Sequence, residues 1–223
     1  MTELSEVKPY FEILKKNRIF SGMTERELER GMKFFSAKIS QYGKGEMLNV
    51  ITEPLRSFGI VLEGLVHVCM ADFEGQKSIM AAVSKGGGFG EALSFLHFET
   101  DVYIKAAEES KILWLNVEKV RNAASQSSED NLFIQRFIAD LAERALEMNG
   151  RVQIMSKRTI REKLLTMFSY FSQKTEASYI TVPFDRSGMA VYLGVDRSSL
   201  SRELAKMQAE GIIRFSKNKF EIL

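Results

Sequence analysis

Cysteine is almost missing from this chain of 223 residues: Cys69 is the only one. That excludes a disulfide framework within the chain and any iron–sulfur or multi-cysteine metal site built by one copy. Histidine is nearly as scarce, with His67 and His97 alone. Two histidines 30 residues apart, with no carboxylate pattern beside them, make a poor metal triad. No run of about 18 apolar residues occurs, which excludes a transmembrane helix on pattern. The opening MTELSEVKPYFEILKKN is mixed charged and apolar and lacks the order of a signal peptide, so the expected address is cytoplasmic, without membrane contact. A large net charge is also missing: the formal total is +2.

The small total hides an uneven distribution. From Ser156 onward there are 12 Lys/Arg against 7 Asp/Glu, a balance of +5, which leaves −3 for the rest. A basic module of this kind is compatible with nucleic acid.

The texture of the chain changes along its length. Residues 9–35 read as short helices, with Thr24 as an N-cap ahead of Glu25 and Glu27. Residues 38–116 break into short β-rich pieces (FGIVL, LVHVCM, SIMAAV, VYIKAA, KILWL) punctuated by glycines such as Gly43, Gly59, Gly75 and Gly86–Gly88, the pattern of an all-β sandwich or barrel. A long helix follows, with Ser127 or Ser128 as cap and Glu129 and Asp130 at its positive end. Along it Ile134, Ile138, Leu141, Ala145, Met148, Val152 and Met155 alternate spacings of four and three, an a/d seam over three heptads. The seam predicts a parallel two-stranded dimer, while Phe133 and Phe137 lie beside it and are free to pack on the barrel.

The last third reads helix (TIREKLLTMFSYFSQ), short strand (YITVP), helix (DRSGMAVYLGV), helix (DRSSLSRELAKMQAEG) and hairpin (IIRFSKNKFEIL). Helix, glycine turn, helix and hairpin is the plan of a winged helix-turn-helix. Asp185 and Asp196 stand at matching N-cap places, and Gly194 supplies the turn. In the second helix Leu200, Leu204 and Met207 form the buried stripe. Arg197, Ser198, Ser201 and Arg202 fall on the other side, where arginine forks and small hydroxyls suit base edges in a major groove. Arg186, Ser199, Lys217 and Lys219 are better placed for phosphate. Ser216–Lys219 also matches an S-x-x-K pattern, read here as coincidence in a wing.

With VLEGLVHV, GGGFGEALSFL and YLGVDRSSLSRELAKMQAEGII on the page, the chain resembles the CRP/FNR type of bacterial transcription regulator over nearly its full length. The resemblance implies an α+β protein. Residues 1–125 would be a cyclic-nucleotide-binding-like jelly roll with N-terminal helices, 126–155 a dimerisation helix and 156–223 a winged helix-turn-helix. It further implies a homodimer on a two-fold symmetric stretch of double-stranded DNA, RNA polymerase as a partner, and a small-molecule effector sensed in the barrel around Gly90, Glu91, Ala92, Leu93, Thr100 and Asp101.

The same positions carry a departure. Cyclic-AMP-binding members follow the Gly-Glu pair, about ten residues later, with an Arg-Ser or Arg-Thr pair for the phosphate. This chain has Thr100 and Asp101 there, and Lys105 is the next base. A carboxylate facing a cyclic phosphate in a partly buried site is repulsive, so cyclic AMP in the usual manner is not expected. No cofactor is expected, and no metal. Phe89, Phe95, Phe98 and Tyr103 are candidates to fill the barrel themselves. KGGGFGE lacks the Lys-Ser/Thr ending of a phosphate loop and reads as a tight turn. A small-molecule sensor whose C-terminal module docks a protein partner is the alternative; an enzyme in the barrel has little support.

Overall fold

The computed structural model describes residues 4–49, 53–71, 77–97, 101–122, 130–172 and 179–223. They divide into two compact units, Met1–Ala142 and Glu143–Leu223.

Unit 1 opens with α1 (Leu4–Val7), a 3-10 turn (Lys8–Tyr10), α2 (Phe11–Leu14) and α3 (Glu25–Phe34). The start of α3 is a complete capping box: Thr24 Oγ1 accepts from Glu27 N, and Glu27 Oε2 accepts from Thr24 N at 2.8 Å. The strands follow as β1 (Lys38–Tyr42), β2 (Ser57–Glu63), β3 (Leu65–Ala71), β4 (Lys77–Ser84) and β5 (Gly88–Phe89). After α4 (Glu91–Leu96) come β6 (Val102–Ala106), β7 (Ser110–Asn116) and α5 (Glu118–Arg121).

Two antiparallel sheets form, ordered β1-β7-β2-β5 and β4-β3-β6. Alternation along the first sheet feeds two cores. One face carries Val61, Phe89, Ile112 and Trp114, which meet Val66, Ile104 and Ala106 of the second sheet inside the roll. The other face carries Phe58, Ile60, Leu62, Leu113 and Leu115 and is covered by the N-terminal helices. Gly59 is needed where the inner face is tightest, because a Cβ there would overlap the Phe89 ring. The glycine-rich stretch after β4 is a turn leading into β5, as the sequence predicts.

The long helix, α6 (Asn131–Met155), contributes to both units. Phe133, Ile134 and Phe137 are buried in the helical core of unit 1, and Leu141 packs against it half-buried. Ser127, Ser128 and Glu129, read from sequence as its start, and Gly75, read as a turn, lie outside the described residues. Unit 2 continues with α7 (Ile160–Ser172), β8 (Ile180–Thr181), α8 (Arg186–Leu193), α9 (Arg197–Ala209), β9 (Ile213–Ser216) and β10 (Lys219–Ile222). Its three strands are ordered β8-β10-β9, and one core joins Leu164, Met167, Phe168, Leu193, Leu200, Leu204 and Phe220.

Candidate nucleic-acid interface

Local chemistry places α8 and α9. Asp185 Oδ1 accepts from Gly188 N at 2.7 Å and starts α8. Gly194 ends it in the left-handed region, φ +60. Lys163 Nζ donates to the Leu193 carbonyl at 3.0 Å, satisfying one of the carbonyls left open at that helix end. Asp196 then caps α9, accepting from Ser199 N at 2.9 Å and from Ser198 Oγ at 2.6 Å. The Ser198 hydroxyl and then the Ser199 amide pull its carboxyl down from 3.8 to about 2.

Leu200, Leu204 and Met207 of α9 are fully buried. Arg197, Ser198, Ser201 and Arg202 are exposed, so the stripe and its polar counterface are both as the spacing predicts. Ser199 differs from its exposed neighbours: it is half-buried, and its hydroxyl accepts from Arg202 Nη2 at 3.1 Å. Arg186 is half-buried too, with its guanidinium 5.0 Å from the Phe215 ring centre. Its Nη1 is buried with no hydrogen-bond partner in the structure. Burial, and then the charge of Arg197, pull its pKa down. The hairpin turns at Lys217 (φ +54) and Asn218, between paired Ser216 and Lys219. Asn218 Nδ2 ties this wing to β8 through the Val182 carbonyl at 2.9 Å. Lys217 and Lys219 are exposed, and Lys219 Nζ lies 4.8 Å from the Tyr179 ring centre.

One part of this interface has no local sequence signal. Arg161, at the start of α7, donates to Glu203 of α9 at 2.5 Å and to Glu210, the C-cap of α9, at 2.6 Å. The partners are 42 and 49 residues away in sequence, beyond the reach of spacing rules.

The seam positions on α6 divide. Ile134 and Leu141 are engaged in unit 1, whereas Ile138, Ala145, Met148, Val152 and Met155 are exposed. In the jelly roll, Gly90 has φ +81 and begins α4, where Glu91 is buried, Leu93 half-buried and Ala92 exposed. Asp101 is exposed just before β6; Thr100 and Phe98 lie outside the described residues. Phe89 is buried in the roll with its ring edge-on to Trp114 at 5.5 Å, and Tyr103 is buried as well. Phe95 instead packs with Phe137 on the helical side. An open surface groove of about 980 Å³ lies elsewhere in the unit, along β1, the end of β7 and residues 53–56 before β2. None of Gly90, Glu91, Ala92, Leu93 or Asp101 lines it. Cys69 is buried, and His97 Nδ1 lies 3.0 Å from Arg121 Nη1. Among the described residues no three His, Cys, Asp or Glu side chains gather as a metal site would require.

A jelly roll joined by a long helix to a basic winged helix-turn-helix defines a DNA-binding regulator. Residues 39–127 match the cyclic nucleotide-binding domain, and residues 134–223 match the Crp-like helix-turn-helix domain; the chain belongs to the CRP/FNR family of transcription regulators. Its fold is similar to that of a proposed cAMP-binding regulatory protein from Silicibacter pomeroyi DSS-3 (17% identity, 96% of this chain and 94% of that one, TM-score 0.54). It is likewise similar to the Thermus thermophilus catabolite activator protein (19%, 93% and 94%, TM-score 0.51) and to DNR from Pseudomonas aeruginosa (17%, 100% and 95%, TM-score 0.50). No individually curated protein sequence matches the chain. Among the described residues no helix is long and apolar enough to cross a membrane.

Proposed function

We propose that the protein regulates transcription as a homodimer that binds a two-fold symmetric operator through α9. The observation that carries this reading is the two-sided character of that helix: Leu200, Leu204 and Met207 are buried, while Arg197, Ser198, Ser201 and Arg202 face outward from a capped first turn. Arg197 and Arg202 are the candidates for guanine contacts, with Ser198 and Ser201 close to the bases. Arg186, Ser199, Lys217 and Lys219 are the candidates for phosphate.

The dimer reading rests on the exposed apolar positions of α6: Ile138 at 53%, Met148 at 64% and Val152 at 59% exposure. A second copy supplies the same stripe and covers both. DNA binding is modulated by an effector in the jelly roll other than cyclic AMP in the usual manner, and RNA polymerase is the partner through which regulation is exerted. The exposed Asp101, a carboxylate within the pair of positions where cyclic-AMP-binding relatives hold the phosphate, supports the first of these statements.

Selection of genomic fragments by the purified protein at physiological salt tests the reading. An enriched inverted repeat is expected, with half-sites one helical turn apart (about 34 Å) and affinity falling as salt rises, because phosphate contacts release counterions. Retention of fragments with no shared sequence, or of none, sinks the operator claim and favours a protein partner for unit 2.

A further inference from the structure

A free serine hydroxyl donates one hydrogen bond and accepts two, so in a major groove it suits any base. The serines in the first two turns of α9 are not alike in this respect. Ser198 Oγ donates to Asp196 Oδ1 at 2.6 Å. The acceptor is a carboxylate kept ionised by the Ser198 hydroxyl and then the Ser199 amide. The bond is therefore charge-assisted, and the Ser198 proton is committed to it. What Ser198, an exposed residue, has left to offer outward is its lone pairs. Ser199 is half-buried, and its oxygen accepts from Arg202 Nη2 at 3.1 Å. Ser201 is exposed and makes no side-chain hydrogen bond among the described residues, so it keeps both roles.

We propose that Ser198 is a specificity-determining residue of α9: it acts as an acceptor only, and at the base it faces it selects adenine or cytosine against guanine or thymine. The proposal deepens the regulator reading and rests on it. In the major groove adenine presents its N6 amino group and cytosine its N4 amino group, both donors, whereas guanine presents O6 and N7 and thymine presents O4, all acceptors. A lone pair turned toward O6 or O4 sets two acceptors face to face and leaves both without a bond. The Asp196 carboxylate behind the hydroxyl adds to the bias, because its negative charge favours an amino group over a carbonyl oxygen. Asp196 thus does two things. It caps α9, and it sets the polarity of the residue two positions on while touching no base itself.

Arg202 stands about one helical turn from Ser198 and has the opposite polarity, since a guanidinium only donates. Its bond to Ser199 occupies one of five N–H groups and leaves the others for a guanine. The outward face of α9 therefore combines a donor fork with an acceptor-only hydroxyl.

Selection from randomised DNA duplexes with the full-length protein tests the proposal, together with carbon-13 NMR of the Asp196 carboxyl in the DNA-free protein. In the selection, one position of each half-site is expected to favour adenine or cytosine on one strand about three- to tenfold over guanine or thymine. Ser198→Ala flattens that position and leaves the others. Asp196→Gly removes the carboxylate while glycine still serves as an N-cap, so it frees the Ser198 proton and admits guanine and thymine there. In the NMR titration Asp196 has its midpoint at about 2, and Ser198→Ala moves it up toward 3.8. A Ser198-dependent position that favours guanine or thymine overturns the proposal, as does a selected motif that Ser198→Ala leaves unchanged. An Asp196 midpoint that Ser198→Ala does not move overturns it without reference to DNA. A wild-type selection with no shared sequence removes the regulator reading and this proposal with it, but a midpoint that still shifts then shows the Asp196–Ser198 bond intact, so the two failures are told apart.

Discussion

The guanidinium of Arg161 meets the carboxylate of Glu210 fork to fork, with Nη1 2.6 Å from Oε2 and Nη2 3.2 Å from Oε1. Nε reaches Glu203 at the same time. One arginine at the start of α7 thereby fixes two points along α9, the proposed reading helix. Arg161→Ala is expected to lower the Tm and to weaken binding to cognate and scrambled DNA alike, because Arg161 itself is assigned no base. The pH sign follows from Glu210, whose carboxyl the Arg161 hydrogen bond holds below its ordinary 4.5. A carboxylate lowered on folding contributes stability above its unfolded value and loses it as pH falls through the folded one. The Tm gap between wild type and Arg161→Ala therefore closes on acidification. A gap that widens in acid contradicts the brace.

Asp196 gives a second pH-dependent prediction. Its carboxyl is pulled from 3.8 to about 2 by Ser198 and Ser199, so its capping contribution is present above 3.8 and is lost as pH falls toward 2. Asp196→Ala removes the cap and lowers the Tm at neutral pH, whereas Asp196→Asn retains it, since asparagine caps about as well. Thermal melts of the three proteins from neutral pH downward check this: wild type should approach Asp196→Ala in acid, and Asp196→Asn should keep its distance.

Gly194 makes a steric and conformational prediction. Its φ is +60, and a Cβ would stand 2.6 Å from Met155 Cε. Left-handed backbone costs a residue with a Cβ about 1–2 kcal/mol, while the methionine end can swing aside. Gly194→Ala should lose about that much in urea unfolding. Adding Met155→Ala should restore little of it, and full restoration would assign the cost to crowding instead.

The α6 seam predicts two different failures. Val152→Glu places a charge on an exposed position, so the fold by circular dichroism is kept while the dimer dissociates, its dissociation constant rising at least about a hundredfold in analytical ultracentrifugation. Ile134→Glu, by contrast, buries a charge in the core of unit 1 and unfolds it. A Val152→Glu protein that stays dimeric removes that face from the interface.

These contrasts mark how far the sequence could be read. Helix starts were legible because caps act within three residues: Thr24, Asp185 and Asp196 each accept from the amide three positions on. The jelly roll and the winged helix-turn-helix were legible for a similar reason, from periodicity and turn glycines. Ile134 and Ile138 look alike in the heptad, yet one is buried in unit 1 and the other is exposed. That outcome depends on the N-terminal helices, 100 residues away, which no period encodes. The Arg161 brace was hidden in the same way. The open groove beside β1 was hidden as well, because its lining joins residues of three strands that are neighbours only in the sheet with residues before β2.

Arg202→Ala on the selected operator tests the central claim most directly. With α9 in the major groove and Arg202 on a base, equilibrium binding should lose about 1–3 kcal/mol on the cognate site, with preference relaxed at one position of each half-site. A variant that binds cognate and scrambled DNA as the wild type does would contradict the assignment of that face.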